Sequence, residues 1–309
     1  MPRSVAWVWG TTLGLALAFG CGNKGGNGFG EDAGDPDGSP FVTDDGGGLG
    51  EGGKLDGSTP GCSDAAKLIY IMTSQNALYS FAPASLTFKL IGTLDCNTIA
   101  SPNSMAVDRN ATAYVNMSDG SLFTVDTKTA HCTATSYALG QLGRRIRGMG
   151  FSTDTSGGTN ETLYTCTAND QAMTGGGLAR ISLPGYKLSL VGDYTAGLGG
   201  AECELTGTGD ARLFGFFAVV SPTKLAEIDK GSGATPSPIT LTSVPSSLAY
   251  AFSFWGGDFW FYTSNGLGNS KVTRYKYATD KSYSVVVADT GMTIVGAGVS
   301  TCAPLTPPN

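Results

Sequence analysis

Three strand-like modules recur in fixed order through residues 61–309 of this 309-residue chain. The first is rich in small residues and ends in a turn with Asp: Ser104–Asp108 (SMAVD), Gly148–Asp154 (GMGFSTD), Glu204–Asp210 (ELTGTGD) and Ala249–Asp258 (AYAFSFWGGD). The second is aromatic: Ala113–Val115, Thr162–Tyr164, Leu213–Phe216 and Phe259–Tyr262. The third opens on Gly, Thr or Ser and turns apolar: Gly120–Asp126, Gly177–Ser182, Thr223–Asp229 and Ser270–Tyr275. A more polar fourth strand follows, as in Lys187–Val191 and Ser282–Val286.

Four short strands per unit, with turn signals between them and first strands roughly 45–55 residues apart, are the pattern of a β-propeller blade. The ends of the repeat region fit together. Lys67–Ile71, Ala77–Phe81 and Thr87–Ile91 supply strands two, three and four with no first strand before them, while Thr293–Val299 reads as a first strand standing alone. Joined, they complete a fifth blade, and the ring closes without two open sheet edges. The expected fold is therefore all-β: a five-bladed β-propeller closed by its C-terminal strand. A pair of β-sandwiches would leave the missing first strand unexplained.

The segments Ser104–Val115 and Asp119–Asp126 resemble the repeats of streptogramin-lyase-like, NHL and quinoprotein-like propellers, a resemblance specific in this blade and general elsewhere. The shared positions are architectural. Asp108, Asp154, Asp210 and Asp258 follow the first strand, where a carboxylate can bond turn amides.

Ahead of the repeats, residues 1–20 carry a single charge, Arg3, and an apolar run from Val5 to Phe19 placed and sized like the h-region of a signal peptide. The run ends in Leu17-Ala18-Phe19-Gly20-Cys21, which resembles the bacterial lipobox, with Ala18 at a position where leucine is typical. The resemblance implies lipidation at Cys21; ordinary cleavage after Ala18 is the alternative. Gly22, rather than Asp, after the cysteine resembles outer-membrane sorting. Residues 21–60 then form a Gly- and Asp-rich linker too poor in apolar residues to offset its ordering entropy, and disorder is expected there. Eight acids against two lysines in 22–60 hold almost all of the chain's net charge of −6. The domain itself is near neutral, and nothing in it points to nucleic acid.

Setting Cys21 aside, six of the seven cysteines remain, an even number suited to three disulfides in an oxidising compartment. Cys62 and Cys302 belong to the same blade and can bond. Cys96 would then pair with Cys132, and Cys166 with Cys203, each between neighbouring blades. This is one of the fifteen connectivities open to six cysteines.

Catalytic groups are scarce. The loops joining strand four of one blade to strand one of the next, where related propellers place their chemistry, contain no histidine; the chain's one histidine, His131, sits beside Cys132. No nucleophile elbow, phosphate loop or zinc motif occurs. The residues with binding potential are Arg144, Arg145 and Arg147, whose forked donors suit a carboxylate or phosphate; Asn103, Glu202 and Glu204, which could join in a calcium site; and Trp255, expected at a free hairpin tip. The aromatic run Tyr250–Tyr262 alternates with the period of a strand and reads as core. The expected function is that of an envelope lipoprotein whose propeller binds or scaffolds an envelope protein. The alternatives are a glycan or small-anion module and a calcium-dependent hydrolase or lyase; catalysis is not expected.

Overall fold

The computed structural model describes residues 61–170 and 174–307. The expected signal peptide, Cys21 and linker lie outside these residues. The strands form five four-stranded antiparallel sheets. The first blade is β1 (Ile69–Thr73), β2 (Ala77–Ala82) and β3 (Thr87–Thr93); the second is β4 (Pro102–Val107), β5 (Thr112–Met117), β6 (Leu122–Asp126) and β7 (Cys132–Ala134). The third is β8 (Arg144–Thr153), β9 (Glu161–Asn169), β10 (Gly175–Ser182) and β11 (Lys187–Gly192). The fourth is β12 (Glu204–Gly207), β13 (Leu213–Phe217), β14 (Lys224–Glu227) and β15 (Ile239–Thr240), and the fifth β16 (Ala249–Trp255), β17 (Asp258–Ser264), β18 (Lys271–Tyr275) and β19 (Tyr283–Val287). The last strand, β20 (Ile294–Val299), pairs with β1, Ile69 opposite Val299 and Ile71 opposite Ala297, and so becomes the innermost strand of the first blade. The chain is a five-bladed β-propeller closed by its C-terminal strand.

The small residues of the first strands have a steric cause. Inner strands β20, β4, β8, β12 and β16 stand side by side around the axis. A Cβ on Gly148 of β8 would lie 2.1 Å from the Cys203 carbonyl oxygen, and one on Gly207 of β12 would lie 2.0 Å from that of Phe151. Only glycine permits that approach.

Large residues stand farther out and fill one apolar cluster between each pair of neighbouring blades. The aromatic run belongs to two of them. Phe252, Phe254, Phe259 and Phe261 pack with Phe214 and Phe216 of the fourth blade, and Trp260 and Tyr262 pack with Phe81 of the first. Aromatic strands thus bury their rings against the next blade, where burial of each contributes about 2–3 kcal/mol.

Three disulfides are present, joining Cys62 to Cys302, Cys96 to Cys132 and Cys166 to Cys203. The first ties the entry of the first blade to the segment after β20; the others run between neighbouring blades. Three disulfides belong to an oxidising compartment and mark an exported protein. No helix among the described residues is long and apolar enough to cross a membrane.

Local expectations needed two corrections. Lys67 closes a 3-10 turn (Ala65–Lys67) instead of opening a strand, which begins at Ile69. The four recurrent aspartates do not share one role. Asp108 accepts the amides of Asn110 and Thr112, as turn chemistry requires. Asp154 instead accepts the Thr162 hydroxyl, Asp210 that of Thr208, and Asp258 opens β17 in a 2.6 Å ion pair with Arg274.

Candidate functional site at the channel mouth

Because every blade is an antiparallel meander, connections from strand four to the next strand one, and from strand two to strand three, gather toward one end of the channel. A cavity of about 280 Å³ opens at that end, lined by residues from all five inner strands or their approaches: Asn103, Arg147, Glu202 with Glu204, Tyr250 and Val295. Sequence reasoning singled out four of these, and the fold brings the four together.

Contacts within and between blades position them. Asn103 Nδ2 donates to Asn116 Oδ1 at 3.3 Å, and Asn116 Nδ2 donates to the Arg147 carbonyl at 2.8 Å, coupling the second and third blades. Arg147 Nε faces Glu202 Oε1 at 3.6 Å and is buried without a hydrogen-bond partner. Glu204 is 5% exposed; its Oε2 accepts the Ser104 hydroxyl at 2.7 Å, and Ser104 Oγ in turn accepts the Met149 amide at 3.0 Å. Burial pushes the Glu204 carboxyl well above its usual value, and the Glu202 charge adds to the shift against the Ser104 hydrogen bond. Burial likewise raises the Tyr250 phenol, reinforced by Glu204 and Glu202.

Arg144 and Arg145 go elsewhere. The arginine segment is not a loop but the start of β8, where side chains alternate and a register shift between Ile146 and Met149 re-aims the chain. Arg144 and Arg145 border a separate depression with Tyr137 and Asp170, where Arg145 Nε lies 3.5 Å from Asp170 Oδ1. The three guanidinium groups therefore share no cavity, which removes the arrangement expected to grip an anion. Trp255 is also displaced from its expected role. It is 6% exposed, with Nε1 donating to the Lys67 carbonyl at 2.8 Å, because the hairpin tip folds against the first blade. No free aromatic platform for a glycan exists at that position.

Asn103, Glu202 and Glu204 do not form a ready calcium shell. Glu202 faces Arg147 and Glu204 faces Ser104, and no group of three His, Cys, Asp or Glu residues able to hold a metal ion occurs among the described residues.

The two ends of the ring differ in surface chemistry. The four most exposed large aliphatic residues among the described residues, Ile99 (107%), Leu267 (94%), Leu248 (82%) and Leu142, all lie in loops or, for Leu142, a short 3-10 turn toward the cavity end. Leu248 and Val219 line the cavity itself, and Leu248 reaches Gly266 beside Leu267. Among the described residues no loop at this end contains a lysine, although Lys224 and Lys271 open β14 and β18 there, whereas the turns of the opposite end carry Lys128, Lys230, Lys276 and Lys281.

Two further polar clusters escaped sequence reasoning, since their members are far apart in the chain. On the flank of blades four and five, a cavity of about 670 Å³ holds Arg212, whose forked donors reach Glu227 at 3.0 and 2.7 Å and whose guanidinium lies 4.6 Å from the Phe214 ring centre. At the end opposite the channel mouth, Glu161 accepts the Arg109 amide at 2.8 Å and the Thr301 hydroxyl at 2.7 Å. Burial pushes its carboxyl up to about 7.

Known structures resemble this chain in fold only. The chain is similar to a calcium-binding protein, regucalcin, from Agrobacterium tumefaciens, at 14% identity and a TM-score of 0.40, over 77% of this chain and 72% of that one. It is similar to a protein of unknown function from Bacteroides caccae at 9% identity and a TM-score of 0.42, over 74% and 76%, and to the Dos1 propeller at 11% and 0.37, over 77% and 72%. No protein-family model and no curated protein sequence matches the chain.

Proposed function

We propose that this chain is a lipid-tethered binding module of the cell envelope, anchored at Cys21 in the outer membrane, that docks an envelope protein against its cavity-bearing loop face. The observation that carries this reading is the contrast between the two ends of the ring. Exposed aliphatic side chains concentrated in the loops of one face, which carry no lysine among the described residues, suit a protein interface. A rigid ring stapled by three disulfides presents such a surface with little ordering cost on binding. The 39 residues between Cys21 and the domain would serve as the tether that lets it reach a partner above the membrane.

The test is crosslinking in intact cells, followed by recovery of the chain and mass spectrometry. One reproducible partner, lost in a Leu248→Asp, Leu267→Asp double variant of normal abundance, supports the reading. Recovery of the chain alone, or a partner indifferent to both changes, overturns it.

A further inference from the structure

We infer that the channel-mouth cavity receives a basic side chain of the docked protein, a lysine ammonium or arginine guanidinium, and that Glu204 is its counter-ion. The inference rests on the docking reading and assigns the chemistry at the centre of the interface.

The hydrogen-bonding capacity of the cavity is lopsided. Glu204 Oε2 is engaged by Ser104, while Oε1 has no partner among the described residues, and the side chain lines the cavity. Glu202 meets Arg147 only at 3.6 Å, beyond good hydrogen-bond range, so its lone pairs remain available. Asn103 spends its Nδ2 on Asn116, leaving its amide oxygen as an acceptor. Against these acceptors stands one cation, Arg147, already beside Glu202. An incoming anion would face two carboxyl groups at close quarters. An ammonium or guanidinium, with several donors and no acceptor, answers the unfilled acceptors, while the buried Nε of Arg147 stays opposite Glu202.

The surroundings fit the rest of such a side chain. Val219 and Leu248 form aliphatic walls that can cover the methylene stem while the charged head descends to Glu204. An anchor in a central pocket, ringed by apolar contacts that exclude water, is the usual anatomy of a binding hot spot.

Charge and protons balance. In the empty cavity Arg147 lies beside Glu202, and burial favours the protonated form of Glu204; the charged and titratable groups facing it are Glu202, Arg147 and Tyr250. When a cation enters, Glu204 gives its proton to solvent and becomes the paired carboxylate. The filled cavity is again neutral. Binding therefore releases a proton and tightens as pH rises toward the value at which Glu204 ionises in the empty cavity.

The test uses the detergent-solubilised full chain and the probe Nα-acetyl-lysine methylamide, with the Nε-acetylated analogue as the uncharged control, followed by saturation-transfer NMR. The expected results are binding of the charged probe alone, affinity that increases with pH, and a loss on the order of tenfold or more in Glu204→Gln, which preserves the shape and the Ser104 contact but not the charge. Equal binding of both probes, no binding, or unchanged affinity in Glu204→Gln overturns the proposal. Crosslinking separates the two readings. A partner captured equally by wild type and Glu204→Gln leaves docking intact and removes the counter-ion. Charge-selective probe binding without any captured partner removes docking and keeps the site.

Discussion

The indole Nε1 of Trp255 donates a 2.8 Å hydrogen bond to the carbonyl of Lys67, joining the last inner hairpin of the ring to the entry of the first blade. Sequence separates the two by 188 residues, yet in space they sit where the ring closes. The indole also packs in the cluster shared by the fifth and first blades. Trp255→Phe keeps much of the apolar area but strands a buried carbonyl, an expected cost of about 1–3 kcal/mol. Thermal unfolding of the variant checks this. A variant as stable as wild type would show that this contact adds nothing to closure.

A second prediction concerns the closeness of the inner strands. Gly207→Ala places a methyl against the Phe151 carbonyl oxygen, and the backbones of β8 and β12 must part to admit it. Overpacking of this kind costs about 1–3 kcal/mol. Denaturant unfolding should show a lower midpoint than wild type. Gly268→Ala, in an exposed loop where φ is not positive and no atom lies within 4 Å of the new Cβ, is the control without a clash.

Glu161 makes stability depend on pH. Its folded carboxyl is raised by burial to about 7, well above the unfolded reference of 4.5, so the folded state holds the proton more tightly. Stability from this group is fully present below about 4.5 and falls as pH rises through about 7, with a total change of about 3 kcal/mol. Asp108 and Arg109 are the charged neighbours, one raising and the other lowering the shift. Denaturation profiles from pH 4 to 8 should decline over this interval in wild type, after allowance for other groups, and flatten in Glu161→Gln. Identical profiles for the two proteins would exclude Glu161 as the source.

The fold was legible in the sequence because its cause is local and repeated. Small residues recur where inner strands nearly touch, aromatic residues recur where blades pack, and Thr293–Val299 carries the inner-strand signature although it stands at the end of the chain. The cavity was legible in part for a related reason: strand order brings Asn103, Arg147, Glu202 and Glu204 to one end of the channel. What remained hidden depends on direction and neighbours. Arg144 and Arg145 could not be separated from Arg147 without the register shift in β8. Trp255 looked like a hairpin tip because nothing in its own segment shows Lys67 waiting across the ring. The equivalent positions of Asp108 and Asp258 concealed different partners, turn amides for one and Arg274 for the other. Arg212, Glu227 and Tyr277 converge only after two blades have packed.

The central claim, that the cavity-bearing face is the one that meets a partner, is tested most directly by site-specific photocrosslinking in intact cells. A photoreactive side chain at Leu248, on the loop face, is compared with one at Lys128, on a turn of the opposite end. The account predicts a discrete crosslinked protein from position 248, absent from position 128 and diminished in Glu204→Gln. Crosslinking from position 128 alone, or from neither position, would contradict it.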